Sequence, residues 1–174
     1  MYLVSLYFDE KANNRIQQYI NLVAENSGNP YMIDGEVPPH ITISAFETEN
    51  EYKVIELLAD VCTKMKRGTI QWVSIGVFLP YVIFLSPVLN HYLHQLSVHI
   101  YDSIVGIKDI SVSKYYQPLQ WMPHTTIGKK LSKEEMRVSF QTLQDNFSMF
   151  QGVVTQIGLS KTQPYEEIKL WELS

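Results

Sequence analysis

Pro39-His40-Ile41-Thr42-Ile43 and Pro123-His124-Thr125-Thr126-Ile127 carry proline, histidine, threonine and isoleucine at one constant offset. In a strand, side chains i and i+2 project from the same face. His40 and Thr42 are therefore expected to point one way and Ile41 and Ile43 the other, and His124 and Thr126 repeat this in front of Thr125 and Ile127. Proline removes a backbone donor and holds the residue before it extended, which suits the first residue of a strand. Each histidine is expected at a strand end, beside a hydroxyl, with apolar side chains anchoring the opposite face.

The repetition extends beyond these pentapeptides. Thr48 with Glu51 and Ser132 with Glu135 each spell the S/T-x-x-E capping box, both beginning eight residues past their histidine. Ile75-Gly76 and Ile157-Gly158 fall at nearly corresponding places. Periodicity predicts a strand over Tyr2 to Phe8, then a helix capped by Asp9 with Ala12, Ile16, Ile20 and Val23 inward. The Gly/Pro-rich stretch Asn26 to Pro39 reads as a loop and His40 to Phe46 as a strand. A helix with Val54, Leu58, Val61 and Met65 on one face leads to strands at about Thr69 to Phe78 and Tyr81 to Leu85. Next come a helix burying Leu89, Leu93, Leu96 and Ile100, a long connection from Lys108 to Pro123, and a strand from His124. A helix with Met136, Phe140, Leu143 and Phe147 in line and strands near Gly152 to Leu159 and Glu167 to Leu173 complete the chain. The order is βαβαβ followed by βαβαββ, predicting one domain over residues 1–174 with two half-repeats, about 1–80 and 81–174.

Composition limits the partners. With 174 residues, 45% hydrophobic and 18% charged, the chain has the apolar material for a core and a length that suits one domain. A single cysteine, Cys62, leaves no intramolecular disulfide, and MYLVSLYFDE lacks the basic start and long apolar stretch of a signal peptide. A cytoplasmic monomer is expected. The most apolar region, Ile75 to Leu89, is interrupted by Pro80 and Pro87 and falls short of the roughly 20 residues a membrane helix needs, so no membrane partner is expected. A net charge of −4 argues against gripping long nucleic acid, whose affinity comes from many Lys and Arg contacts to phosphate. A small nucleotide or an RNA-terminal phosphodiester remains a suitable substrate.

Two histidines facing each other suit phosphodiester chemistry. Cleavage takes a proton from the attacking oxygen and gives one to the leaving oxygen on the opposite side of phosphorus. Imidazole titrates close to 6.5, so both protonation states are accessible near neutrality. Threonine hydroxyls can donate to the non-bridging oxygens, and the scheme calls for neither metal nor cofactor. A lone histidine in an apolar strand is as readily a hydrogen-bonded core residue; the shared flanks and register favour function here.

Further candidates follow from the same alternation. Lys130 falls on the histidine face as a phosphate contact, with Lys129 behind it, although a solvated strand-end lysine fits the pattern too. Ser44 and Phe46 share the face of His40 as possible substrate contacts, and Phe46 equally suits the core. Tyr115, Tyr116 and Trp121 offer aromatic rings to a base or simply pack a loop. His91, His94 and His99 raise a zinc site, but the inward stripe of their helix leaves them mostly on other faces without a carboxylate set. No Gly-rich phosphate loop, GxSxG elbow or HExxH motif occurs.

The two His-x-Thr-Ile motifs, half a chain apart, resemble the two-histidine phosphoesterase superfamily, which includes RNA 2′,3′-cyclic phosphodiesterases and 2′-5′ RNA ligase-like proteins. The resemblance implies a bilobal, pseudo-symmetric α+β fold, with two antiparallel-rich sheets forming a central groove and helices packed outside. It implies catalysis by His40 and His124 and phosphate binding by Thr42 and Thr126. The implied reaction is hydrolysis of a 2′,3′-cyclic phosphate to a 2′-phosphate, with 2′-5′ ligation as its reverse and a non-catalytic nucleotide-binding module as the alternative. Ser44-Ala45-Phe46 and Gly128-Lys129-Lys130 depart from the continuations usual in the RNA enzymes, which leaves the substrate open.

Overall fold

The computed structural model describes residues 1–162 and 164–174. Its strands are β1 (Tyr2–Phe8), β2 (Ile41–Glu47), β3 (Gly68–Phe78), β4 (Val82–Pro87), β5 (Ser111–Val112), β6 (Thr125–Gly128), β7 (Phe150–Lys161) and β8 (Glu166–Glu172). The helices are α1 (Glu10–Ser27), α2 (Tyr31–Asp34), α3 (Glu51–Cys62), α4 (His91–Ile104) and α5 (Lys133–Asn146), with a 3-10 turn at Lys114–Tyr116. Among the described residues no helix is long and apolar enough to cross a membrane.

All the strand pairings are antiparallel. One array runs β5-β2-β1-β7-β8 and the other β7-β3-β4-β6. The 12-residue β7 joins them: Phe150 to Val154 pair with β3, and Val154 to Lys161 pair with β1. The two arrays thereby form one eight-stranded sheet. Strands are also exchanged between the arrays, because β3 leaves β1 and β2 to pair with β4, while β7 returns to β1. Such exchange ties early and late parts of the chain into one body.

Helices α1 and α5 pack together over β4 and β6, and α3 and α4 pack together near β2, β3 and β8. The core lies between these helices and the sheet, where Leu6, Ile16, Ile41, Leu58, Ile83, Leu93, Ile127 and Ile157 are all buried. Asp9 caps α1 as expected, accepting from the Ala12 amide at 3.0 Å, and it also accepts from the Val153 amide on β7.

Several sequence expectations for the helices need correction. Ser132 and Glu135 form the full capping box on α5, but Thr48 does not cap α3. Asn50 takes that place, while the Thr48 hydroxyl donates to Asp109 at 2.8 Å and tethers the loop before β5. Cys62 replaces Val61 in the buried stripe of α3, and Leu89 is exposed ahead of α4. On α5 the buried residues are Ser139, Thr142 and Leu143, with Phe140 exposed, because small side chains let this helix sit close against α1. Within the expected loop from Asn26 to Pro39, the chain forms the short helix α2.

Candidate functional site

Each histidine sits one residue before its strand, where proline has ended the preceding loop. The ring Nδ1 of His40 donates to the Pro38 carbonyl at 2.8 Å, and that of His124 to the Met122 carbonyl at 2.9 Å. A carbonyl can only accept, so the neutral rings carry their hydrogen on Nδ1. Nε2 is left with its lone pair, ready to take a proton. The same i−2 contact at both places fixes both ring orientations.

His40, Thr42, His124 and Thr126 line a single cavity of about 660 Å³. Burial pushes both imidazoles below the ordinary histidine pKa. For His40, the positive charges of His124 and Lys129 add to this effect, while its carbonyl contact opposes it. Protonation of one histidine thus disfavours protonation of the other, and a neutral and a charged ring are the natural pairing.

Two buried indoles hold the motifs in place. Trp121 donates to the Thr42 carbonyl at 3.0 Å, and Trp72 donates to the Thr125 hydroxyl at 3.0 Å. Around the histidines the two lobes differ. Phe78 meets the His124 ring edge-on at 4.9 Å and Phe84 lies 5.3 Å from it, filling that side with apolar surface. On the other side the Tyr7 ring lies 6.3 Å from His40, and its hydroxyl is 3.4 Å from that of Tyr165. The open volume accordingly extends over β1 and the C-terminal half of β7, past Leu3, Ser5 and Ser160.

The matched Gly76 and Gly158 make room for these rings. A Cβ on Gly76 meets the Phe84 ring at 2.4 Å, and one on Gly158 meets the Tyr7 ring at 2.7 Å.

Of the remaining sequence candidates, Ser44, Phe46 and Lys130 do not line the cavity. Thr42 pairs with Ser5 but Ser44 pairs with Val4, so Ile43 is an extra residue in the ladder. This bulge reverses the alternation. Ser44 and Phe46 turn to the core face instead of the groove: both are 1% exposed, and Phe46 stacks on Tyr2 at 5.6 Å. Lys130 lies beyond the end of β6 with φ of 57°, a left-handed conformation that breaks the strand alternation. Its ammonium sits 4.6 Å from the Tyr31 ring centroid, and Lys129, expected behind the sheet, is the lysine in the groove.

Sequence reasoning assigned no site role to Tyr7, Asp34, Lys129 and Tyr165. Only Tyr7 carries a usable signal, since β1 alternation places it with Leu3 and Ser5. Tyr116 lines the groove, whereas Tyr115 is exposed and Trp121 buried. His91 and His99 are exposed on α4, and among the described residues no three metal-ligating side chains are grouped.

Solved structures share this fold. E. coli LigT complexed with 3′-AMP aligns with a TM-score of 0.65 at 15% identity, covering 99% of this chain and 97% of that one. E. coli LigT complexed with NADP+ aligns at 0.63 and 16%, covering 99% and 96%. TT0787 of Thermus thermophilus aligns at 0.62 and 14%, covering 99% and 97%. No sequence among curated proteins matches this chain. The family model of the 2′-5′ RNA ligase superfamily matches residues 8–166, nearly the whole chain and both histidine motifs. The chain therefore belongs to the 2′-5′ RNA ligase superfamily of two-histidine phosphoesterases.

Proposed function

We propose that this protein is a metal-independent phosphodiesterase that hydrolyses a nucleoside 2′,3′-cyclic phosphate or a related small cyclic phosphodiester. The observation that carries the reading is the matched pair of histidines, each with Nδ1 bound to its own i−2 carbonyl, lining one cavity with Thr42 and Thr126. One imidazole, neutral, takes a proton from water at Nε2 as the water oxygen bonds to phosphorus. The other, protonated, gives its Nε2 proton to the 3′ oxygen as the P–O bond to that oxygen breaks, leaving a 2′-phosphate. Thr42 and Thr126 donate to the non-bridging oxygens as charge builds there. Both proton transfers and the charge stabilisation thus come from side chains of the chain itself.

In this reading residues 1–174 act as one domain of two half-repeats, about 1–80 and 81–174, each supplying one histidine and one threonine. The small cavity and the nucleotides held by LigT, 3′-AMP and NADP+, support a small nucleotide substrate. The test is a panel of nucleoside 2′,3′-cyclic phosphates, linear phosphodiesters and ADP-ribose cyclic phosphate, each assayed with and without EDTA. Turnover of a cyclic phosphate that survives chelation is the expected result. Activity lost on chelation and restored by zinc or manganese overturns the metal-independent mechanism. Tight nucleotide binding without turnover favours a binding module, and joining of RNA ends favours ligation.

A further inference from the structure

Thr42 has a hydroxyl neighbour that Thr126 lacks. In the β1–β2 ladder Ser5 is the residue opposite Thr42, and both line the cavity. The bulge at Ile43 sets this match: Val4 pairs with Ser44, so an unbulged ladder would put Ile43 opposite Ser5. At the second motif the residue opposite Thr126 is Phe84. Ser5 is 2% exposed, and its hydroxyl makes no hydrogen bond among the described residues. It does not bond even to Thr42, although opposed serine and threonine side chains commonly bond each other. On its other side Ser5 meets Gly158 of β7, which has no side chain and lies under the Tyr7 ring. The orphaned hydroxyls of Ser44 and Ser97 are sealed in the core, whereas that of Ser5 opens on the cavity. A hydroxyl buried this deeply without a protein partner does nothing for the fold.

We infer that Ser5 is a third phosphate donor, beside Thr42, and that it serves the monoester formed when the cyclic phosphate opens. The role rests on the phosphodiesterase reading above and adds a residue to it. Opposed side chains of an antiparallel pair have Cβ atoms about 4.5–5.5 Å apart, so the two hydroxyls can donate to different oxygens of one phosphate at about 2.7 Å. A cyclic phosphodiester has two non-bridging oxygens, and Thr42 and Thr126 serve them. Water brings a third terminal oxygen as it bonds to phosphorus and the bond to the 3′ oxygen breaks. The product therefore carries one more acceptor and more negative charge, and Ser5 is the free donor next to Thr42 that meets it. Ser160 matches Ser5 in residue type, in its 2% exposure and in lining the cavity. It stands on β7, two strands from the β2 strand of Thr42, about 10 Å away and beyond reach of the same phosphate.

The test is calorimetric titration of the full chain with adenosine 2′-monophosphate, set beside adenosine 2′,3′-cyclic phosphate, read as KM where it is turned over and as Kd where it is not. Ser5→Ala should weaken binding of the monophosphate by about ten- to hundredfold, the worth of a hydrogen bond to a charged group. The cyclic phosphate should change far less. Ser160→Ala should not separate the two ligands in this way. The melting temperature of Ser5→Ala should not fall, because the hydroxyl has no partner in the fold to lose. Equal losses for both ligands, the same separation in Ser160→Ala, or no binding of the monophosphate by the wild type overturns the inference. A lower melting temperature with unaltered monophosphate binding overturns it too, by making Ser5 a structural residue. Because binding is read without turnover, a selective loss in Ser5→Ala in a chain that hydrolyses no cyclic phosphate would overturn the enzymatic reading alone. Turnover of the cyclic phosphate with monophosphate binding unaltered in Ser5→Ala would overturn the role of Ser5 alone.

Discussion

Trp121 donates its indole N–H to the carbonyl oxygen of Thr42 at 3.0 Å. The segment that leads into His124 is thereby pinned to the strand that follows His40, and one buried side chain sets the register of the two motifs. Trp121→Phe keeps an aromatic ring and removes the donor, leaving a buried carbonyl short of a partner at a cost of about 1–3 kcal/mol. Chemical denaturation should show that loss. Steady-state kinetics should show kcat falling more than KM rises, because misplaced proton-transfer groups act on the transition state. Unchanged stability and kcat would mean that the contact sets nothing.

The acid–base pair should also leave a signature in pH. Burial holds both imidazoles below the ordinary value of 6.5. In the free protein a neutral base and a protonated acid therefore coexist on the acid side of neutrality. kcat/KM, which reports the free protein, should follow a bell centred below pH 6.5. Lys129→Met removes a positive neighbour, so the His40 pKa should rise, read by NMR titration of the ring. A fall, or no change, would contradict Lys129 acting on His40.

The same shifts bear on stability. A histidine whose folded pKa is lowered binds fewer protons than the unfolded chain below 6.5. Stability should be full above that pH and decline as pH falls toward the folded values. Thermal melts should show the decline, and His40→Ala should flatten it. A melting temperature that rises on acidification to pH 5 would reverse the sign and contradict the burial of both rings.

The limits of the sequence were local. Apolar periodicity was enough to place α1 and α4, because each buries a regular stripe against the core. The repeated proline–histidine–threonine pattern located the four residues that the fold brings to one cavity. Ser44 and Phe46 were misplaced because the bulge at Ile43 is a property of pairing with β1, and no local signal marks it. Lys129 took the groove position expected of Lys130 because the chain leaves strand geometry after Gly128 and enters a left-handed turn at Lys130. Thr48 carried the letters of a capping box, yet Asp109, 61 residues away, bound its hydroxyl. These three errors came from long-range contacts or turn geometry overriding a local rule.

Gly76 tests how closely the sheet supports the site. Its missing Cβ leaves space for the Phe84 ring, which lies 4.4 Å from Phe78 and 5.3 Å from His124. Gly76→Ala forces that ring to move, an overpacking change that costs about 1–3 kcal/mol. The expected outcome is a lower unfolding midpoint together with a shifted His124 ring resonance. A destabilised protein with an unmoved His124 resonance would show that Phe84 does not position the histidine.

The paired histidines are tested most directly by the turnover number on a nucleoside 2′,3′-cyclic phosphate, measured in EDTA for the wild type, His40→Ala, His124→Ala and the double variant. Each single variant should lose about 10²–10⁴-fold, the usual worth of a positioned acid or base. The double variant should be little worse than either, since the two act as a unit. Thr42→Ala and Thr126→Ala should lose less, because the proton transfers remain. Full turnover in either single histidine variant would contradict the assignment.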